Sequence, residues 1–382
     1  MKNTIAIAIL IVITLLHILF IEALERSREI TELITEVGFS RSCNTPLRAE
    51  LLFAGDWMQH TPQITSAKRD SVFDYTPSIR HIAPIMRRAD LAIVNLETTL
   101  TRGERYSGYP MFRSPKQLAD ALHEAGIDVA LLANNHCCDG GKRGIRSTIK
   151  ELRRCSIEHT GAFADSADYS RNYALKFERQ GIKFAILNYT YGTNGLPIPD
   201  STYVNLIDSA LIARHIQSLE RDSIDCLIAC MHWGVEYSRR PSLEQRRIAG
   251  QLQEMGVDLI VGSHPHVVQP IGAEDGFAVA YSLGNFVSNQ RKRYCDGGII
   301  LSVKVEKQSI DSPCSFDIEA IPVWVELKDY AILPANVGDT IKMSPSSRQQ
   351  YNLFMTDCQE LIGEWIAPID TLYCAIEKIY KN

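Results

Sequence analysis

The stretch Val257–Pro270, VDLIVGSHPHVVQP, runs apolar through Ile260 and Val261, turns at Gly262, and then sets His264 and His266 on either side of Pro265. An apolar run of strand length, closed by glycine and followed by two imidazoles, is the pattern of a buried strand whose C-terminal end carries chemistry. In an extended segment residues i and i+2 point the same way, so the two rings are expected to converge on one or two ions. The same pattern recurs along the chain. Strands are expected at residues 51–54, 91–96, 129–133, 184–188, 224–231, 259–261, 279–282 and 299–305, and helices at 115–125, 144–154, 209–222 and 242–255. Such alternation predicts an α/β fold. The strands read as Val/Ile/Leu runs rather than strict alternation, as strands covered on both faces do.

Composition narrows the chemistry. Of 382 residues, 45% are hydrophobic and 22% charged, an ordinary globular balance with enough chain for a sizeable core. The 40 Lys and Arg against 45 Asp and Glu leave a formal charge of −5, with no dense basic stripe. Nucleic acid, which proteins hold by neutralising phosphates, is therefore not an expected partner. Ten cysteines are present, but no CxxC pair. Cys226 and Cys230 lie inside the apolar run IDCLIACMHW, and Cys137 and Cys138 are adjacent, a spacing poorly suited to an ordinary bridge. Most are expected to be buried thiols.

Residues 4–24, TIAIAILIVITLLHILFIEAL, are apolar apart from two Thr, His17 and Glu22. About 20 such residues span a hydrocarbon core. With Lys2 and the terminal amine on the inner side, the run reads as an uncleaved signal anchor in the bacterial cytoplasmic membrane, single-pass, with the body of the chain extracytoplasmic. A cleavable signal peptide is the alternative reading. The expected organisation is an anchor at 1–24, a polar stalk at 25–49, the main domain at 50–330, and a helical extension at 331–382 packed on it.

Polar residues cluster just past the ends of five of the expected strands. Asp56, with His60 nearby, comes after the first; Glu97 after the second; Asn134, Asn135, His136 and Asp139 after the third; His232 after the run at 224–231; His264 and His266 after the run at 259–261. Ligands bind outside the C-terminal ends of strands in open α/β sheets. Five strand ends that deliver oxygen and nitrogen donors to one rim suit a Zn, Mn or Fe site, and the scarcity of cysteine there disfavours a thiolate zinc site. Taken alone, Asp56 reads equally as a turn residue and His232 as a core histidine. Glu97, directly after AIVNL, is a carboxylate that burial obliges to find partners. Arg113, in MFRSP, is either an anion contact or a solvated surface side chain.

The pieces FAGDWM (Phe53–Met58), ADLAIVNLETTLT (Ala89–Thr101), YPMFRSP (Tyr109–Pro115), LLANNHCCDGG (Leu131–Gly141), HWGVEY (His232–Tyr237), GSHPHVVQP (Gly262–Pro270) and YSLGNFVSNQ (Tyr281–Gln290) occur in this order. In that set the chain resembles the CapA-type poly-γ-glutamate capsule proteins, distant members of the calcineurin-like metallophosphoesterase superfamily. The resemblance implies a layered α/β/β/α sandwich rather than one doubly wound sheet, preceded here by the membrane helix. It implies two divalent metal ions, with Asp56 on the first, Glu97 bridging, Asn135 on the second, and His232, His264 and His266 completing both shells. His136 would be the proton donor. The superfamily's Asp-x-His reads Asp56-Trp57-Met58, so His60 is the candidate replacement ligand. Its Gly-Asp-x-x-Asp reads Asn95-Leu96-Glu97 at the end, which removes the carboxylate that would orient His136; Asp139 or Glu236 is the candidate substitute. Three functions are compatible with these features. The first is synthesis or export of an anionic γ-glutamyl or related envelope polymer, with capsule synthetase components as partners. The second is a plain metal-dependent phosphoesterase. The third is a non-catalytic polymer-binding scaffold.

Overall fold

In the computed structural model, which describes residues 20–29, 46–103, 105–220, 223–274, 276–309 and 311–368, the apolar runs assemble into two sheets. Their strands, in chain order, are β1 (Leu47–Trp57), β2 (Leu91–Leu96), β3 (Val129–Leu131), β4 (Glu158–Thr160), β5 (Ala174–Arg179), β6 (Ile182–Thr190) and β7 (Cys226–His232), then β8 (Leu259–Ser263), β9 (Ile271–Glu274), β10 (Phe277–Ala280), β11 (Asn285–Val287), β12 (Gly297–Lys307), β13 (Ser315–Glu326) and β14 (Ala331–Pro334). The first sheet has the order β14-β13-β12-β1-β2-β3-β4, with β11 paired to the end of β1. Strands β1 to β4 run parallel, and β12 to β14 continue the sheet antiparallel. The second sheet, β5-β6-β7-β8-β10-β9, is parallel through β6, β7, β8 and β10, with an antiparallel strand at each edge.

Alternate residues of one strand feed two different cores. Leu51 and Phe53 of β1 and Ile93 of β2 pack toward Ile186, Ile228 and Val261 of the second sheet. Leu52 of β1 and Val94 of β2 pack instead against Leu118 and Leu122 of α1 (Gln117–Ala125) and Ile145 and Ile149 of α2 (Gly141–Arg154). On the far side, Leu187, Leu227 and Ile260 meet Ile212 of α3 (Ser209–Gln217) and Ile248 and Leu252 of α4 (Leu243–Glu254). The result is helix, sheet, sheet, helix. Both faces of each central strand are covered, so full burial, worth about 1.5–3 kcal/mol per large aliphatic side chain, leaves no polar face in the sequence.

Elements depart from expectation at their ends. Helix α2 begins at Gly141, three residues before the amphipathic pattern becomes legible, and α3 stops at Gln217. The boundary expected at 330/331 falls beside β14, which is hydrogen-bonded to β13, so the sheet continues to Pro334. Beyond it α5 (Pro345–Ile362) lays Tyr351, Phe354, Cys358 and Ile362 into the inter-sheet core. All eight described cysteines are buried thiols outside any disulfide. Within the separate unit at residues 1–46, residues 20–29 are described as a helix. The expected anchor at 4–24 lies mostly outside the described residues; among these, no helix is long and apolar enough to cross a membrane.

Gly262 does not make the turn expected of it. It lies inside β8, paired beside Met231 of β7, and the strand runs on to Ser263. Glycine is required by proximity: a Cβ here would lie 1.9 Å from the Tyr281 carbonyl oxygen and 2.6 Å from Trp233 Nε1, two groups already hydrogen-bonded to each other at 3.0 Å. Gly262→Ala is expected to destabilise the domain by about 2 kcal/mol through overpacking, read as a lower urea midpoint; an unchanged midpoint contradicts this role.

Candidate metal centre

Parallel pairing brings the C-terminal ends of β1, β2, β7 and β8 to one edge. At the end of β1 the register against β2 shifts between Ala54 and Asp56, and Asp56 is held fully buried. Its Oδ1 accepts from Asn95 Nδ2 at 2.8 Å, and Asn95 Nδ2 also lies 3.3 Å from His232 Nδ1. Asn95 therefore ties the ends of both sheets together. Glu97 follows β2, its amide donating to the Trp57 carbonyl at 3.1 Å. His232 closes β7, and its Nε2 lies 2.9 Å from Asn135 Oδ1 and 3.8 Å from Glu97 Oε1.

The His-Pro-His segment converges by a different route from the extended one expected. His264 and His266 have φ of 98° and 57°, in the left-handed region that a side chain ordinarily avoids. That geometry is held from outside: the His264 amide points at both Asp56 oxygens at 3.3–3.4 Å, and His266 Nδ1 lies 3.0 Å from Asp56 Oδ2 and 3.1 Å from Asn285 Oδ1. Backbone held this way at a cluster of donors is stored strain of the kind found at functional sites.

Two triads of donor atoms result, Glu97 with His232 and His264, and Asp56 with Glu97 and His266, each within 4.8 Å of one another. Glu97 belongs to both. It is fully buried, and neither carboxylate oxygen has a hydrogen-bond partner among the described residues; the same holds for Nδ1 of His264. Burial, then the charges of Asp56, Glu236 and Asp139, pushes the Glu97 carboxyl well above its ordinary range. Burial and the neighbouring histidines push His232 well down and His264 down to about 3, so both imidazoles are neutral and able to donate a lone pair. An unpartnered buried carboxylate between two neutral imidazoles and a second carboxylate fits divalent cations: it leaves donors that nothing among the described residues satisfies. The donor set is nitrogen and oxygen only, which suits Zn, Mn or Fe.

Asn135 sits between His232 and the loop at 191–194, its Nδ2 donating to Asn194 Oδ1 at 3.3 Å. Beside it His136 is 5% exposed, with Nδ1 2.7 Å from Asp139 Oδ2 and Nε2 3.5 Å from Asn194 Nδ2. Of the two candidates for orienting His136, Asp139 makes the contact. Arg113 Nε donates at 3.1 Å to the Asp139 carbonyl, which places it behind the His136 pair, while Glu236 is exposed and acts on Glu97 and Tyr191 through its charge. His60 lies outside both triads. It caps the helix Thr61–Ala67, where its amide donates to Gln63 Oε1 at 2.8 Å and its Nδ1 accepts from the Asn289 amide at 3.2 Å, and its ring meets Phe112 edge-on.

Four further residues belong to the site. Asn95 and Asn285 anchor Asp56 and His266; Tyr191 packs its ring 4.5 Å from that of His264, and Asn194 faces His136. Asn95 carried a legible signal, a polar residue inside the apolar AIVNL run. Tyr191 and Asn194 come after β6, a parallel strand whose end supplied no His or carboxylate to attract notice.

Residues 50–290 match the family model described as bacterial capsule synthesis protein PGA_cap. The chain belongs to the bacterial capsule synthesis protein family. Among its relatives are the PGA biosynthesis protein CapA of Bacillus subtilis, 29% identical over 62% of this chain and 63% of that protein, and the capsule biosynthesis protein CapA of Bacillus anthracis, 27% identical over 64% of this chain and 67% of that one. The match thus spans less than two thirds of the Bacillus subtilis relative. Among solved structures, a Haemophilus influenzae NAD nucleotidase aligns with a TM-score of 0.46 at 12% identity, over 87% of this chain and 67% of that one. A hypothetical protein from Thermus thermophilus aligns with a TM-score of 0.44 at 13% identity, over 72% and 99%.

With divalent metal chelated, Glu97→Gln is expected to raise stability by about 1–3 kcal/mol near neutral pH, because it removes the cost of burying or protonating a carboxyl that has no hydrogen-bond partner among the described residues. Wild type should regain that stability on adding metal and the variant should not, as melting midpoints with and without metal will read. A variant less stable than the chelated wild type contradicts the assignment.

Proposed function

We propose that this capsule-family protein hydrolyses or transfers a bond in an anionic γ-glutamyl or related envelope polymer at a dinuclear metal centre, with its body held outside the cytoplasmic membrane by residues 1–24. The apolar run at 4–24 and Lys2 support the placement. Glu97 carries the proposal for the centre: its fully buried, unpartnered carboxylate is shared by two groups of donors.

Asp56, Glu97, Asn135, His232, His264 and His266 would hold two divalent ions, which when bound activate water and neutralise charge on the reacting group. Asn95 fixes Asp56 and His232 relative to each other, and Asn285 holds His266, so these donors are positioned before any ligand arrives. His136 is the general acid. The Asp139 carboxylate fixes the ring through Nδ1, leaving Nε2 on the Asn194 side to deliver a proton to the departing atom. A phosphoester is the second reading, because the same His136–Asp139 pair serves an oxygen leaving group equally well.

Metal analysis of the protein is expected to find one to two ions per chain, lost in His264→Ala plus His266→Ala; a metal-free wild type overturns the proposal. In His136→Gln the metal should remain while turnover falls about 10²–10⁴-fold. Assays on γ-glutamyl oligomers and phosphoesters decide the substrate class, and activity against neither, with metal present, leaves the scaffold reading.

A further inference from the structure

The loop that follows β6 is tied down along its length. The Tyr191 amide donates to the His232 carbonyl at 3.0 Å, the Thr190 hydroxyl to the Gly192 carbonyl at 3.0 Å, and the Thr193 hydroxyl to the Leu196 carbonyl at 2.6 Å. So pinned, the loop sets Asn194 at φ 52°, a left-handed conformation that asparagine adopts more readily than most side chains. The Tyr191 ring lies 4.5 Å from that of His264 and 6.3 Å from that of His232, within 9° of parallel to the latter. Two exposed side chains, Tyr191 and Asn194, thus border the Glu97–His232–His264 triad.

Asn135, buried beside that triad, has an orientation that must be chosen for it. The last torsion of an asparagine is broad and nearly two-fold, so hydrogen bonds decide which way its oxygen and its nitrogen face. Asn194 Oδ1 accepts from Asn135 Nδ2 at 3.3 Å and from the Tyr191 hydroxyl at 3.3 Å. With the nitrogen of Asn135 engaged there, its Oδ1 is turned to His232 Nε2 at 2.9 Å, on the side where the triad's donors converge. The reverse orientation would present an NH2 group, which has no lone pair to give a cation. Asn194 is itself held against turning over, because two donors meet its Oδ1; its Nδ2 is left 3.5 Å from His136 Nε2, at the limit of hydrogen-bond reach. The other triad is supported from inside: Asp56 and His266 lean on Asn95 and Asn285, both buried.

We propose that Asn194, seconded by Tyr191, is a positioning residue that keeps the Asn135 oxygen on the ion of the Glu97–His232–His264 triad, so that this ion alone depends on the loop; the role rests on the dinuclear centre proposed above. Groups that orient a ligand from behind typically carry about 10–100-fold of metal affinity without touching the ion.

The test is equilibrium titration of the full chain, stripped of metal, with manganese chloride, the free ion being counted from its electron paramagnetic resonance signal. Wild type should bind two ions. Asn194→Ala should keep one at wild-type affinity and bind the other about 10–100-fold more weakly, and Tyr191→Phe should lose less at the same ion. Asn194→Asp keeps an oxygen facing Asn135 Nδ2 and adds charge, so it should bind both ions at least as tightly as wild type. Because Asn194 is exposed, Asn194→Ala should melt as wild type does in chelator, whereas a fold defect would lower that midpoint and weaken both ions. Unchanged binding in Asn194→Ala, equal weakening at both ions, or a loss in Asn194→Asp as large as in Asn194→Ala overturns the positioning role and leaves the centre standing. A wild type that binds fewer than two ions overturns the role together with the dinuclear centre.

Discussion

A carboxylate that is fully buried, and that no group among the described residues satisfies, constrains everything around it. Glu97 is fixed by the Trp57 carbonyl at its amide and by the parallel pairing of β2 with β1, so it cannot swing out to solvent. Leaving such a group unpaired costs several kcal/mol. Around it His232 and His264 are neutral imidazoles and Asp56 is a further carboxylate, none of which relieves that cost. The neighbourhood makes sense as a cation cage whose stability and chemistry are the same free energy.

The sandwich exists to bring those donors together. Asp56 and Glu97 come from the first sheet, His232, His264 and His266 from the second, and the shared inter-sheet core sets the distance between them. Asn95 spans the seam, with one side-chain amide placed between Asp56 and His232. Gly262 allows the second sheet to close on Trp233 and the Tyr281 carbonyl two residues before His264. Thus the packing that stabilises the fold also positions the centre, and a methyl group added at Gly262 is felt at both.

Much of this could be read from the amino acids, and the exceptions have physical causes. The strand-end positions of Asp56, Glu97, Asn135, His136 and His232 follow from apolar runs that stop abruptly at polar residues. Asp139 was one of two candidates for orienting His136, and only the turn geometry at 136–139 separates it from Glu236. The convergence of His264 and His266 was legible as an outcome but not as a mechanism, since positive φ at two histidines leaves no trace in residue type. Gly262 looked like a turn because glycine serves turns and close approaches alike. His60 looked like a ligand because it follows Asp56 by four residues, yet a proline at the first helical turn and Gln63 commit it to capping. Asn285, Tyr191 and Asn194 escaped because amides and phenols are common in loops and announce nothing until a neighbour is known.

The most direct test is anomalous X-ray diffraction from crystals of the protein grown with manganese. Two anomalous peaks about 3.5–4 Å apart, with the Glu97 carboxylate between them, His232 and His264 beside one, and Asp56 and His266 beside the other, are what this account predicts. A Glu97 carboxylate with no peak beside it, in crystals that bind manganese elsewhere or not at all, would contradict it.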